Sequence, residues 1–198
     1  MKKIYAFDFD GTLTKRDSLL AFLLFAKGWK EFIKCFARHL HLLLAMKLLL
    51  VDSGKVKESI FGWYFKGMPE SMFDDLCLRF ASAHPHLLRP KGMQKLREVY
   101  AEPGTTVMIV SASINNWVAP FFKDMPGIEI FCTRIEVANG NLTGRFLSAN
   151  CRRQEKVRRI LALHPDRRSY FLTAFGDSSG DIEMLNFADE GHYKPFRK

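Results

Sequence analysis

The 198-residue chain carries 30 Lys and Arg against 21 Asp and Glu, a formal charge of +9, with 47% apolar and 26% charged residues. These proportions are those of a soluble globular protein and exclude a disordered or low-complexity chain; the length allows one core domain plus a sizeable insertion. The positive excess favours an anionic partner, whether a phosphorylated small molecule, nucleic acid or an acidic membrane surface.

Cys35, Cys77, Cys132 and Cys151 are scattered, with no CxxC pair and no histidine at ligand spacing. This predicts reduced, buried thiols in a cytoplasmic protein rather than disulfides or zinc. Lys2-Lys3 and the apolar residues after them do not read as a secretory signal, because Asp8 and Asp10 interrupt the run.

In chain order, Lys3–Asp8 (KIYAFD) is a short run of strand formers and predicts a buried strand. The pattern then turns helical, with helices predicted over Leu19–Ala26, Trp29–Val51, Lys55–Phe65, Ser71–Ala83 and Lys91–Tyr100. Gly28, Gly54, Gly67-Met68-Pro69 and His84-Pro85 punctuate them. After Pro103-Gly104, strands and helices alternate: a strand over Thr105–Val110, a helix over Ile114–Lys123 and a strand over Ile128–Thr133. Asn139-Gly140 signals a type I′ hairpin. A helix over Gln154–Leu163, a strand over Ser169–Phe175, a short helix over Gly180–Phe187 and an edge strand in HYKPF complete the pattern.

Continuous apolar strands separated by helices imply a parallel sheet covered on both faces. The predicted fold class is therefore α/β, with a doubly wound parallel-sheet core from residues 1–14 and 90–198 and an all-helical cap inserted over 15–89. Such sheets bind ligands beyond the carboxyl ends of their strands.

Four segments with chemical potential fall at those ends. Asp8 and Asp10 stand two residues apart where the first strand ends, so both carboxylates face one pocket. Such a pair is costly without a cation or proton between its members, and Mg²⁺, which takes a few hard oxygen ligands and keeps its waters, fits it. Gly11 lets the backbone approach an anion closely. Alone, a DxD at a turn is as readily structural. Ser111, after Val110, suits a phosphate oxygen, with the amide of Ala112 near a helix start; a serine there otherwise serves as a helix cap. Lys156 lies at the start of a helix and, by itself, reads as a surface lysine. Asp177 and Asp181, in Gly176-Asp177-Ser178-Ser179-Gly180-Asp181, offer one carboxylate for a metal and one to steady the lysine.

Taken in order, Asp8-Phe9-Asp10-Gly11-Thr12-Leu13-Thr14, Ser111, Lys156 and Gly176–Asp181 resemble the four motifs of the haloacid dehalogenase superfamily of hydrolases, over nearly the whole chain. The helical insertion and Thr143-Gly144 after the hairpin resemble its phosphoserine phosphatase branch. That resemblance implies a Mg²⁺-dependent phosphatase with a Rossmann-like core. Asp8 would be the nucleophile that forms an aspartyl-phosphate, and Asp10 the general acid and base. The metal would be held by Asp8, Asp177 and the backbone carbonyl of Asp10. Gly11, Ser111, Ala112 and Lys156 would bind the phosphate, and Asp181 would orient Lys156 or a metal-bound water. Asp17, nine residues after the nucleophile, stands where the phosphoserine enzyme reads its substrate's amine. Three departures count against phosphoserine: Arg152-Arg153 before Gln154-Glu155-Lys156, Ser178-Ser179-Gly180 in the fourth motif, and Ala112-Ser113 in the second.

On a helix over Trp29–Val51, Lys27, Lys30, Lys34, Arg38 and His41 form one stripe, with Phe32, Phe36, Leu40 and Leu43 opposite. Beyond Leu42 the sequence LLLAMKLLLV is apolar nearly all round. The run is short of the ~20 residues that span a bilayer. It suits either an interfacial helix with basic anchors, giving peripheral membrane association, or burial in the cap or a dimer. The basic, Leu-rich insertion and Asn150–Lys156 are also similar to the phosphatidylglycerophosphatase C family, which implies a lipid-linked phosphate as substrate. A small soluble phosphomonoester such as phosphoserine is the alternative. A nucleic-acid-binding role has no recognition fold or basic-aromatic stripe behind it, and intact motifs argue against a silent anion-binding module.

Overall fold

The computed structural model describes residues 2–197. Its centre is a five-stranded sheet in the order β3-β2-β1-β6-β7, built from β1 (Lys2–Phe7), β2 (Thr105–Ile114), β3 (Glu129–Thr133), β6 (Tyr170–Gly176) and β7 (Glu190–Tyr193). Every neighbouring pair is parallel. Two further strands, β4 (Ile135–Ala138) and β5 (Asn141–Phe146), form a separate antiparallel hairpin. Its turn residues Asn139 and Gly140 have φ of 51° and 74°, the positive pair that a type I′ turn requires.

Alternation along the central strands fills both sides of the sheet. Ile4 and Ala6 of β1, Met108 and Val110 of β2, and Leu172 and Ala174 of β6 belong to one buried cluster. It also takes Ile160 of α7 (Gln154–Leu163) and Met184 of α8 (Ile182–Phe187). Phe7, Val107, Ile109 and Phe175 enter the larger opposite cluster, with Met93, Leu96 and Val99 of α5 (Pro90–Tyr100). The two-sided covering is what the unbroken apolar strands demanded.

Four helices separate β1 from α5: α1 (Ser18–Arg38), α2 (Leu40–Lys47), α3 (Ser53–Phe65) and α4 (Glu70–Ala83). Phe22 of α1 is their aromatic hub, with ring centroids 5.7 Å from Phe65, 5.7 Å from Phe73 and 5.2 Å from Phe80. It also stacks 4.8 Å from Trp117 of α6 (Asn115–Val118), so the helices and the sheet share one continuous apolar interior. The segment leaves and rejoins the sheet layer at one point. Thr14 bridges Leu88, the Lys15 amide donates to Leu87 O at 2.9 Å, and the Arg89 amide to Leu13 O at 2.7 Å.

Two helices differ from the sequence expectation. The single helix expected over Trp29–Val51 is broken at His39, where ψ rises to 7° and the ring Nδ1 pairs with the carbonyl of Cys35 at 2.8 Å. Gly28, at φ 74° and ψ 173°, kinks α1, so the two expected segments on either side of it meet through an extended residue. Because of the break at His39, Leu40 does not join Phe32 and Phe36 against the interior but is 55% exposed. The helix expected over Ile114–Lys123 is instead the last residue of β2, the four-residue α6 and a tight 3-10 turn over Ala119–Phe122. The proline at 120 lacks the amide that a longer α-helix would use. All four cysteines are buried and unpaired. Among the described residues, no helix is long and apolar enough to cross a membrane.

Candidate active site

Asp8 follows β1, and its amide donates to Phe175 O of β6 at 2.9 Å, which fixes it at the sheet's carboxyl edge. The chain then makes a tight irregular turn over Phe9–Leu13, in which Gly11 takes φ 77°. A side chain at Gly11 would run into the carboxylate of Asp177, so both its positive φ and its bareness are required here.

Lys156, in the first turn of α7, is the centre of the site. Its ammonium donates at 2.6 Å to Asp8 Oδ1, at 2.6 Å to Asp181 Oδ1 and at 2.6 Å to Val110 O. All three of its protons are used, and only 1% of the side chain reaches solvent. The second oxygen of Asp8 accepts from the Thr12 hydroxyl at 3.1 Å. The second oxygen of Asp181 accepts from the Asp177 amide, the Ser178 amide and the Ser178 hydroxyl.

The electrostatics follow from one cation shared by two buried carboxylates. Burial pushes the Asp8 carboxyl up to about 8, against the pull of Lys156, and Asp181 and Asp10 add to the rise. Burial also works against the charge on Asp181, but Lys156 and the hydrogen bonds from Ser178 prevail and hold that carboxyl below its ordinary range. Lys156 itself is held above its ordinary value: burial disfavours its charge, and Asp8 and Asp181 more than restore it. Opposite directions at the two carboxyls reflect unequal hydrogen bonding, since Asp181 accepts three further bonds and Asp8 only one.

Asp10 is partly buried beside them. Oδ1 accepts from the Ser18 amide at 2.7 Å, and Oδ2 from the Ser113 hydroxyl. Burial and the nearby charge of Asp17 raise its pKa. Oxygens of Asp8, Asp177 and Asp181 come within 4.8 Å of one another. This set consists only of hard carboxylate donors, and the four acids Asp8, Asp10, Asp177 and Asp181 outnumber the cations that reach them, Lys156 and Arg197. Donor type and charge therefore fit a hard divalent cation that retains waters.

Ser111 and Ala112 line the same cavity, of about 750 Å³, with Asp8, Asp10, Gly11, Lys156, Asp177 and Asp181. Ser111 is buried, and its oxygen accepts from the Ser113 amide at 3.1 Å. The placement of Ala112 corrects the sequence expectation: β2 runs on to Ile114 through a register shift after Val110, so the Ala112 amide does not stand at a helix start. Its carbonyl instead accepts from Lys57 at 2.9 Å. Asp17 also lines the cavity, but as the cap of α1, with Oδ1 accepting from the Leu19 and Leu20 amides.

Of the remaining cavity residues, Lys57 and Arg197 carry no motif signal in the sequence, while Arg152 and Arg153 belong to the Asn150–Lys156 segment already singled out there. Lys57 arrives from α3, and burial lowers its pKa although Asp10 and Asp17 pull the other way. Arg197 donates to Asp177 Oδ2, positioned by Phe196, whose ring stacks on Phe7 and Phe175. Arg152 spans from Ser53 Oγ at 3.0 Å to Ser179 Oγ at 3.1 Å, tying α3 to the loop after β6. Arg153 has φ 54°, a conformation that favours glycine. Ser113 was legible in principle, as a second hydroxyl two residues from Ser111 on the same face of a strand.

Residues 5–186 match the model of the family described as haloacid dehalogenase-like hydrolases. Protein CicA of Caulobacter vibrioides is 36% identical over 201 residues, covering 98% of this chain and 86% of that protein. A phosphoserine phosphatase of Lactococcus lactis subsp. lactis is 28% identical over 127 residues, 63% of this chain and 56% of that one. A crystal structure of a protein of unknown function from Bordetella pertussis Tohama I superposes with a TM-score of 0.80 at 18% identity, over 95% of this chain and 88% of that one. The chain thus belongs to the haloacid dehalogenase-like hydrolase family.

Proposed function

We propose that the protein is a Mg²⁺-dependent phosphomonoester hydrolase working through an aspartyl-phosphate on Asp8, with residues 15–89 acting as a cap over a core of 1–14 and 90–198. The observation that carries this reading is the Lys156 ammonium held at 2.6 Å from both Asp8 and Asp181, beside Asp10. A buried nucleophile sits next to a fixed cation and a second, protonatable acid, the set that in-line phosphoryl transfer requires.

An Asp8 oxygen attacks phosphorus and the bond to the leaving alkoxide breaks. Asp10, whose pKa is raised, gives that alkoxide its proton, then takes one from the water that hydrolyses the acyl phosphate. Lys156 and Ser111 face the phosphoryl oxygens, and Asp181 keeps Lys156 charged and aimed. Asp8, Asp177 and the Asp10 carbonyl would hold Mg²⁺, which when bound supplies neutralisation of phosphoryl charge.

For the substrate we favour an amphiphilic, lipid-linked phosphate. Leu19, Leu20, Phe36, Leu43, Met46 and Leu49 give the cavity an apolar wall in addition to its charged residues. Phosphoserine, the substrate in the name of one relative, would leave that wall unused, although Asp17 and Lys57 offer charges for a small zwitterion. Phosphate release from phosphatidylglycerol phosphate, lysophosphatidate and O-phosphoserine, at equal concentration with Mg²⁺, separates the two. Higher kcat/KM on the lipid phosphates is expected; preference for phosphoserine would reverse the assignment.

A further inference from the structure

We propose that the outer face of α2 docks the protein on anionic membranes. α2 has two apolar sides. Leu42, Leu43 and Met46 pack on the interior. Leu40, Leu44 and Leu48, four residues apart and so on one face, point away with 55%, 53% and 70% exposure. The Leu48 amide donates to Leu44 O at 3.0 Å, so the row continues past the end of the helix. Leu49 and Leu50 extend it at 88% and 74% exposure. A helix that packs one side against a core ordinarily turns a polar side to water. Three leucines in a row on the open side, with Leu49 and Leu50 exposed just beyond the helix end, mark an interaction surface.

Charge selects the occupant. Residues 18–51 contain Lys27, Lys30, Lys34, Arg38 and Lys47 and one acid, Glu31. That acid is engaged by Lys34 at 2.6 Å. The next acid, Asp52, is spent capping α3 through the Gly54 amide. A second copy of the chain would bring the same cations against themselves, whereas anionic headgroups complement them. A cleft of about 300 Å³ at the α1–α2 junction is lined by Arg38, His39, His41, Leu42 and Ser59, with the Arg38 guanidinium 4.9 Å from the centre of the Trp63 ring. The leucines would enter the acyl boundary while the lysine stems keep their ammonium groups at its surface.

The face also adjoins the catalytic cavity, because Leu49 is both the most exposed leucine of the row and part of the cavity wall. Docking therefore brings the mouth of the cavity to the membrane surface. This deepens the substrate reading above, but the docking requires no hydrolysis and is read without it.

The test is co-sedimentation of the full chain with vesicles of phosphatidylcholine alone or mixed with phosphatidylglycerol, at low and high salt. The variants are Leu44→Asp/Leu48→Asp, which removes the apolar row, and Lys30→Glu/Lys47→Glu, which reverses two of the positive charges of residues 18–51. Expected are binding to the mixed vesicles only, weakened by salt, and a loss of about tenfold or more in partitioning for each variant. An unchanged melting temperature and circular dichroism spectrum would show that both variants remain folded. Absence of binding, equal binding to neutral vesicles, or binding indifferent to both variants would overturn the proposal. So would a concentration-dependent dimer in sedimentation velocity that Leu44→Asp/Leu48→Asp dissociates, which would assign the face to a second copy. None of these results bears on whether the protein hydrolyses phosphate esters.

Discussion

Lys156 and Asp181 meet at 2.6 Å with only 1% of either side chain open to solvent, and the same ammonium holds Asp8. Removing Lys156 strands both carboxylates without a cation in a medium that disfavours isolated charge. Lys156→Met is expected to abolish turnover and to lower stability by about 3–5 kcal/mol at neutral pH, the usual cost of breaking a buried pair. Urea unfolding followed by circular dichroism measures it.

The depressed pKa of Asp181 gives stability a pH dependence of definite sign. A carboxyl whose folded pKa lies below its ordinary 3.8 stabilises the fold above that value and loses this contribution as the pH falls through the folded pKa. Wild type should therefore lose stability in acid below its ordinary carboxyl range more steeply than Asp181→Asn does. Equal acid-unfolding profiles would contradict the ion pair.

Asp8→Asn should abolish phosphate release, because an amide cannot serve as the nucleophile. It should preserve the fold, since the amide has the same shape and Lys156 keeps its bonds to Asp181 and the Val110 carbonyl. A melting temperature close to wild type alongside lost activity is the expected combination. Asp10→Asn should slow turnover by ~10²-fold or more, the ordinary contribution of a general acid.

Metal binding can be read by titration calorimetry, apart from activity. Mg²⁺ should bind, Asp177→Asn should weaken that binding, and chelator should remove activity that Mg²⁺ restores. Ca²⁺, with its larger and looser shell, should restore it poorly. Arg197 pairs with Asp177 and would compete with a cation for that carboxylate, so Arg197→Ala should raise Mg²⁺ affinity.

Gly11→Ala tests the turn after β1. Its φ of 77° disfavours any side chain, and the added carbon meets the Asp177 carboxylate. Strain of about 1–3 kcal/mol and weaker metal binding are expected together.

The acids and the lysine were legible in the sequence because each stands beside an apolar run whose period gives away a strand or helix, and their order along the chain is distinctive. Lys57 and Arg197 were not, because they reach the cavity only through the packing of α3 and the Phe196 ring. The sheet followed from its unbroken apolar strands. The helix over Trp29–Val51 failed because composition reports that residues are helix formers, not that His39 turns its ring onto the Cys35 carbonyl and ends the run.

The position of β1 between β2 and β6 governs when the protein can act. Asp8 is synthesised early, yet its amide waits for Phe175 and its carboxylate for Lys156. A nascent chain on the ribosome that has not extruded β6 can already contain Lys156 but lacks Phe175, Asp177 and Asp181. Fragments ending before that strand are expected to show no turnover, so recovery of turnover during refolding should report completion of the whole sheet rather than the formation of any single part.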